Sequence, residues 1–369
     1  MTSGIRRSMD RRDLLLQKWL KTKASNDKKA YNICRNRINR IVRAAERNHN
    51  AHEIESSQAD VRKLWKCINK ISNRKSNSGS TLPDELKIDG KVLTNPLEIA
   101  TSLNKHFVEK GPNLAKKLPN LNKDVLQYMG PRNATDMSFE TILESQVLTI
   151  IDANKKVSTG SDNIPVILLQ WASHLIAKLL ANIFNGLVEL GAYPDDLKIA
   201  KVTPLHKNGD KSDVDNFRPI SVLTQINKVF EKLIHVRLMD FINQHKILKN
   251  YQFGFRKGHN TAHGINHLNE QILKNLEKKK VYAMLFIDLK SAFDTVDPTI
   301  LIKKLDHYGI RGNVLSLLAS YLSGRKQYIK SGDIESSLLP LLCGVPQGSV
   351  LGPLLFILYI NEVKRELDH

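Results

Sequence analysis

The first 80 residues contain two segments in which apolar positions recur every three or four residues. The first segment has arginines between its apolar positions, which are Tyr31, Cys34, Ile38, Ile41, Val42 and Ala45. The second has Val61, Leu64, Trp65, Ile68 and Ile71, and it ends in the polar, glycine-containing stretch 73–80. This spacing predicts two amphipathic helices, and the composition of 73–80 is typical of a flexible connector. Residues 1–80 are therefore interpreted as a basic helical arm with a linker.

Residues 81–154 form the next predicted segment and begin with signals for a hairpin and a capped helix. An Asp-Gly pair separates two short β-prone runs, which predicts a hairpin across 86–93. Asn95 then precedes Pro96 and an apolar helical face, an arrangement typical of a helix N-terminus.

Two apolar runs in the last quarter of the chain differ in what they predict. Residues 281–287 are largely apolar and end at Asp288, which predicts a buried strand with the Asp288 side chain at its C-terminal end. Residues 350–360 are also apolar, but they contain Gly352 and are too short to cross a bilayer. We therefore expect no membrane partner.

Net charge makes a nucleic acid the expected partner of this chain. The formal charge is +19, and residues 1–50 hold fourteen Lys and Arg against four acids. Basic side chains concentrated in one segment bind phosphates and release counterions. The alternative is a basic protein whose charge only keeps it soluble. Three cysteines without a Cys-x-x-Cys pair indicate a reducing, intracellular location.

Two motifs in the last third of the chain are specific enough to indicate a family. The first is the twelve-residue run 286–297, FIDLKSAFDTVD, and the second is 344–356, GVPQGSVLGPLLF. They resemble motifs A and B of reverse transcriptases, most closely those of non-LTR retrotransposons of the Jockey and CR1 type. From about Lys155 the resemblance is continuous, with segments similar to motif 0 at 156–165, motifs 1 and 2 at 204–221 and motif 2a at 252–261.

The resemblance implies an α/β fold, a right-hand polymerase fragment whose palm is of the α+β kind. Residues 155–369 would form the fingers and part of the palm, and 81–154 would be the connector between endonuclease and polymerase. The implied activity is RNA-directed DNA polymerisation for retroelement insertion. Its partners would be an RNA template, a DNA target or primer and deoxynucleoside triphosphates. A nuclear or cytoplasmic ribonucleoprotein is the expected location.

Asp288 is the residue that the resemblance makes catalytic. Two-metal nucleotidyl transfer needs clustered carboxylates around a pair of divalent ions, and the family implies Mg²⁺, with Mn²⁺ as the alternative, in the complete enzyme. The carbonyl oxygen of Leu289 would be a further metal ligand. In isolation, an aspartate after a strand is more often a turn or helix cap.

The remaining site residues implied by the resemblance bind the nucleotide and the template. Phe293 would exclude the ribose 2′-hydroxyl, although core packing is its alternative role. Asp294 is interpreted as a local turn residue, and Asp297, which precedes Pro298 and a helical pattern, as a helix cap. The other nucleotide-binding residues would be Lys207, Arg218, Gln347 and Gly348. The template or primer would contact Gly254, Phe255, Arg256 and Lys257. Three histidines at 259, 263 and 267 invite a zinc hypothesis, but the sequence shows no fourth ligand.

No Tyr/Phe-Ala-Asp-Asp sequence follows motif B before His369. In the family that motif supplies two of three metal-binding aspartates, so we expect this chain alone to be inactive. A non-catalytic nucleic-acid-binding remnant is the alternative function, and a basic RNA-binding adaptor unrelated to polymerases is a third. Without that hairpin, the motif A strand and Leu354, Leu355 and Leu358 are expected to be uncovered and to reduce solubility.

Overall fold

The computed structural model describes residues 3–57, 82–88, 90–119, 124–154, 159–281 and 283–363. The chain divides into two compact units, residues 1–79 and 80–369. The helix predicted around Trp65, the linker 73–80, part of the hairpin turn and the first residues of the motif 0 segment lie outside the described residues.

The first unit contains two helices, α1 (Ser3–Thr22) and α2 (Ser25–Ser57), which pack against each other. The helix predicted from Tyr31 is confirmed as part of α2. Trp19 of α1 stacks on Tyr31 with ring centroids 5.9 Å apart, and Lys28 lies over the Trp19 ring. Aromatic stacking and cation–π contacts thus join the two helices while most basic side chains stay exposed.

The second unit mixes helices and strands, which agrees with an α/β polymerase domain. Its helices are α3 (Pro96–Ala115), α4 (Glu144–Ala153), α5 (Val166–Leu190), α6 (Gln225–Gln244), α7 (Thr261–Glu277), α8 (Pro298–His307), α9 (Gly312–Leu322) and α10 (Gly352–Tyr359). Its strands are β1 (Leu86–Ile88), β2 (Lys91–Leu93), β3 (Ile199–His206), β4 (Phe217–Val222), β5 (Lys326–Ser331), β6 (Ile334–Glu335) and β7 (Leu339–Pro340). Short 3₁₀ helices cover Val125–Tyr128, Asp195–Lys198 and Val214–Asn216.

Three local predictions in this unit are confirmed because each rests on a short-range interaction. The hairpin at 86–93 forms as antiparallel β1 and β2. Asn95 caps α3, its side chain accepting bonds from the N–H groups of the second and third following residues. Asp297 caps α8 in the same way ahead of Pro298.

The main sheet has the order β4-β3-β5-β6, with β7 paired to the other part of β5. β3 and β4 form an antiparallel hairpin, whereas β3 and β5 are parallel. Helix α3 covers this sheet, and its Leu103 and Phe107 pack in one apolar cluster with Val202 and Ile329. Residues from the predicted connector 81–154 therefore complete the core of the polymerase-like region.

Helix α5 is central to the larger apolar core. Its Phe184 stacks on Phe230 of α6 with ring centroids 4.5 Å apart. Tyr193 also stacks on Phe230, with ring centroids 5.3 Å apart. The helix is also long and apolar enough to cross a membrane by length and composition, and it alone meets that test in the described part of the chain. Its buried face gives those apolar residues a packing role within the core.

Motif A differs from its prediction, because the expected buried strand is not formed. Residues 283–289 have no strand assignment, and Leu285 and Phe286 are each 81% exposed. A strand needs a neighbour that pairs with its backbone N–H and C=O groups, and no described strand pairs with this run. The apolar run of motif A is thus uncovered, as expected.

The prediction that Leu354, Leu355 and Leu358 would be uncovered is wrong. All three side chains are buried in the larger core. Helix α10, which carries them, packs against α8 rather than depending on the motif A run for cover.

Replacing both Leu285 and Phe286 by lysine should raise the concentration at which the protein stays soluble, because it removes an exposed apolar run. The free energy of unfolding should change by no more than about 0.5 kcal/mol, as for other exposed positions. Turbidity and urea denaturation measure the two quantities. Leu354→Lys is the matched control, and it should lower stability severely. Unchanged solubility of the double variant would show that this run does not drive aggregation.

Candidate active site

Motif B is held to motif A and to strand β4 by backbone hydrogen bonds. The Gly344 N–H donates to the carbonyl oxygen of Val296 at 2.8 Å, and the Val345 N–H donates to that of Phe293 at 2.9 Å. On the other side, the Ser221 N–H of β4 donates to the carbonyl oxygen of Gln347 at 2.7 Å. Motifs A, B and 2, far apart in sequence, therefore meet at one place.

Gly348 makes the closest approach in this loop. Its φ is +118°, and a Cβ atom built there would lie 2.5 Å from the carbonyl oxygen of Ser221. No other residue can adopt this backbone and this contact without strain. The resemblance implies a nucleotide-binding role for Gly348, and in the structure the backbone closest to it is that of β4.

The Gln347 side chain is oriented by Asp294. Its Nε2 donates to Asp294 Oδ1 at 3.0 Å, so the amide oxygen is directed elsewhere. Burial raises the pKa of the Asp294 carboxyl, and the Gln347 bond opposes that rise. The interpretation of Asp294 as a local turn residue was incomplete, because its carboxylate links motif A to motif B.

Phe293 lies in an aromatic cluster with Phe356 of α10 and Phe255 of motif 2a. The Phe293 and Phe356 rings are stacked with centroids 4.9 Å apart, and Phe255 meets Phe293 edge-on at 5.6 Å. Phe255 has a positive φ of 55° and is mostly exposed. Stacking holds the Phe293 ring in one position. A residue that excludes a 2′-hydroxyl by its size must be held in this way.

The basic site residues lie on two exposed segments. Arg218 is on β4, opposite Leu205 of β3. Lys207 is the first residue after β3, at the tip of the same hairpin. In motif 2a, Arg256 donates to the carbonyl oxygen of Lys249, while Lys257 and Gly254 are exposed. All these positions are accessible to a phosphate-bearing ligand.

The metal site expected at Asp288 is not assembled by the described residues. Asp288 and Leu289 lie in the exposed run after residue 282. Among the described residues, no three His, Cys, Asp or Glu side chains are grouped so that they could hold a metal ion, the three histidines near α7 included. The half-buried Asp294 carboxylate accepts a hydrogen bond from Gln347. One exposed carboxylate does not fit a pair of divalent ions.

A buried polar network beneath motif B was not found from the sequence. It comprises Tyr193, Asn227, Glu231, Tyr321 and Arg325. The sequence does contain a signal for this network, because the polar residues Asn227 and Glu231, four positions apart, lie on the apolar face of α6. A small cavity of about 30 Å³ is lined in part by Arg325, Asp294 and Gln347, and it has room for about one or two water molecules.

Comparison with known proteins finds similarity to the family that the motifs resemble. Residues 205–369 match the family described as reverse transcriptase, RNA-dependent DNA polymerase. The chain is 26% identical over 98% of its length to a Drosophila melanogaster protein named as a probable RNA-directed DNA polymerase from transposon BS. It is 37% identical over half its length to that of the X-element, and 33% to that of the mobile element jockey, both also from Drosophila melanogaster. The chain spans 41% of the first relative and 20% of the other two.

Gly348→Ala should lower the free energy of unfolding by about 2–4 kcal/mol, because it adds both backbone strain and a clash with β4. Gly332→Ala is the matched control, since Gly332 has a φ of +61° with open space around it, and it should cost only about 1 kcal/mol. Urea denaturation of both variants measures the difference. Equal losses would mean that the contact with Ser221 does not constrain the loop.

Proposed function

We propose that this chain belongs to the reverse transcriptases of non-LTR retrotransposons and that it forms the nucleotide- and template-binding part of an RNA-directed DNA polymerase. The observation that carries the proposal is the meeting of motifs 2, 2a, A and B around Phe293 and Gln347. Family motifs that only marked descent would not need to converge on one surface. The activity, substrates and partners given below are parts of this proposal.

In this proposal the incoming deoxynucleoside triphosphate lies between the aromatic cluster and the β3–β4 hairpin. Arg218 and Lys207 bind the triphosphate, and the planar guanidinium of Arg218 suits two-point contact with phosphate oxygens. Phe293 faces the sugar and excludes a 2′-hydroxyl, while the Gln347 amide contacts the sugar and Gly348 sets the loop. Gly254, Phe255, Arg256 and Lys257 contact the template or primer backbone.

Asp288 and the Leu289 carbonyl oxygen bind a divalent ion in the complete site, with Mg²⁺ as the first candidate and Mn²⁺ as the second. Such an ion would stabilise the charge that develops during nucleotidyl transfer. At least one more carboxylate must join Asp288 before the site can bind a pair of ions. The isolated and exposed position of Asp288 therefore favours the second candidate function for this chain alone, that of a non-catalytic nucleic-acid-binding protein.

The N-terminal helices are proposed to bind the RNA template or the DNA target by charge rather than by base recognition. Arg35, Arg37, Arg40 and Arg43 all belong to α2, and their side chains are exposed. Phosphate binding of this kind carries little sequence preference. An intracellular ribonucleoprotein, nuclear or cytoplasmic, is the proposed setting.

The protein should bind RNA and DNA with affinities that fall steeply as salt concentration rises, and deletion of residues 1–50 should flatten that dependence. Fluorescence anisotropy with labelled oligonucleotides at several salt concentrations measures the slope. A variant with Lys278, Lys279 and Lys280 changed to glutamine is a control for loss of charge outside the first 50 residues. An unchanged slope after the deletion would remove these helices from the binding surface.

Primer extension separates the two candidate functions. With Mg²⁺ or Mn²⁺ this chain should extend no primer on any template, since its described carboxylates do not form a metal site. Templated extension that Asp288→Asn abolishes would refute this expectation and make the chain an active polymerase.

The role of Phe293 can be tested in a chain extended by the Asp-Asp hairpin and thumb of a related element. There Asp288→Ala should abolish extension, whereas Phe293→Val should retain it and admit ribonucleotides more readily. Phe253→Val is the control, because the Phe253 ring packs against histidines and not against Phe293. An extended, folded chain that still polymerises with Asp288→Ala would overturn the proposed function.

A further inference from the structure

Glu231 is a fully buried carboxylate beneath motif B, and it accepts four hydrogen bonds. Its Oε1 accepts from Asn227 Nδ2 at 2.9 Å and from the Tyr321 hydroxyl at 3.0 Å. Its Oε2 accepts from the N–H groups of Val350 and Leu351. Two of the donors thus come from the backbone that enters helix α10.

The partners of Glu231 use its carboxyl group mainly as a hydrogen-bond acceptor. Burial raises the pKa of the Glu231 carboxyl, and the Val350 N–H and the charge of Arg325 oppose that rise. Backbone and amide N–H groups can only donate, so three of the four partners require an acceptor. Arg325 is itself buried and lies over the Tyr321 ring at 4.8 Å. Its positive charge is therefore close to the ring whose hydroxyl group bonds to Glu231.

Glu231 supplies a cap that α10 lacks. Leu351, the residue before the helix, has no side-chain capping bond, and the first N–H groups of a helix need acceptors. Ser349 Oγ accepts from the Gly352 N–H at 2.9 Å, while Glu231 takes the two preceding N–H groups.

The capped residues are close to Gln347 along the chain. Val350 is three positions after Gln347, whose carbonyl oxygen is bonded to β4 and whose side chain is bonded to Asp294. The loop is therefore attached to β4, to motif A and to α6. The α6 attachment is the only one of these three that fixes where the loop turns into the helix.

We propose that Glu231 is a positioning residue that fixes the motif B loop and thereby sets the place of Gln347 in the nucleotide site. This inference rests on the proposed function for its nucleotide, but the anchoring of the loop can be measured separately. Glu231 does not touch the substrate in this proposal. It acts through the backbone of Val350 and Leu351.

The first experiment compares amide hydrogen exchange in Glu231→Gln with that in Glu362→Gln. Glu362 is a matched control because it is also buried, follows the other end of α10 and is bonded to Lys304 and Tyr308. Glu231→Gln places an amide donor against groups that only donate. It should raise exchange at residues 345–351 about tenfold, whereas Glu362→Gln should leave that segment unchanged and affect 360–363.

Tyr321→Phe provides a milder second variant should Glu231→Gln fail to fold. It removes one donor to Glu231 and keeps the ring beside Arg325. Exchange at 345–351 should then rise about threefold. Unchanged protection of this segment in the folded variants, or an equal rise in Glu362→Gln, would overturn the proposal.

The second experiment measures binding of a mant-labelled deoxynucleoside triphosphate to the protein with a complementary primer–template. Glu231→Gln should weaken nucleotide affinity about tenfold and change primer–template affinity less than twofold, while Glu362→Gln leaves both unchanged. Equal nucleotide affinities in a Glu231→Gln variant with a loosened loop would refute the effect on Gln347. If the unaltered protein binds no nucleotide, the proposed function fails, and the exchange experiment still decides whether Glu231 anchors the loop.

Discussion

The burial of helix α6 on nearly every side is the constraint on which the rest of the second unit depends. Twelve of its residues are buried, and several of these are polar or charged. Each such group must be hydrogen-bonded inside the protein, because an unpaired buried polar group costs about 1–3 kcal/mol. The elements that pack against this helix must therefore supply hydrogen-bond partners as well as a complementary apolar surface.

The polar residues of α6 reach in different directions and join separate parts of the chain. Arg237 donates to the carbonyl oxygens of Glu140 and Thr141 and to the Gln146 side chain. Asn227 accepts from Tyr193, and Glu231 accepts from motif B. One helix thus connects the segment before motif 0, the central aromatic stack and the proposed nucleotide site.

The two halves of the candidate site differ in how completely they are built. Motif B is enclosed, with its loop bonded to motif A and to β4 and its helix buried in the core. The first part of motif A is exposed, and the turn that follows it, with Phe293 and Asp294, is packed. The parts of the site that are proposed to bind a nucleotide are consequently packed independently of the part that is proposed to bind metal.

Short-range signals and family motifs account for the features of the fold that were predicted correctly from the sequence. Caps at Asn95 and Asp297, the β1–β2 hairpin and the mixed helix and strand content each follow from local spacing or from the resemblance. The exposure of the motif A run could not be predicted from its apolar composition, since whether it pairs depends on which other strands are present. The bond between Asp294 and Gln347 joins residues distant in sequence, and no periodicity reports such a contact.

The attachment of α3 to the sheet has a consequence for synthesis. Asn104 and Gln327 bond to each other's side chains across 223 residues of sequence, so α3 leaves the ribosome long before β5 exists. At about 5–20 residues per second, that interval is roughly 10–45 s. During that time Leu103 and Phe107 lack part of their apolar cluster, and the nascent chain presents a surface on which a chaperone can act.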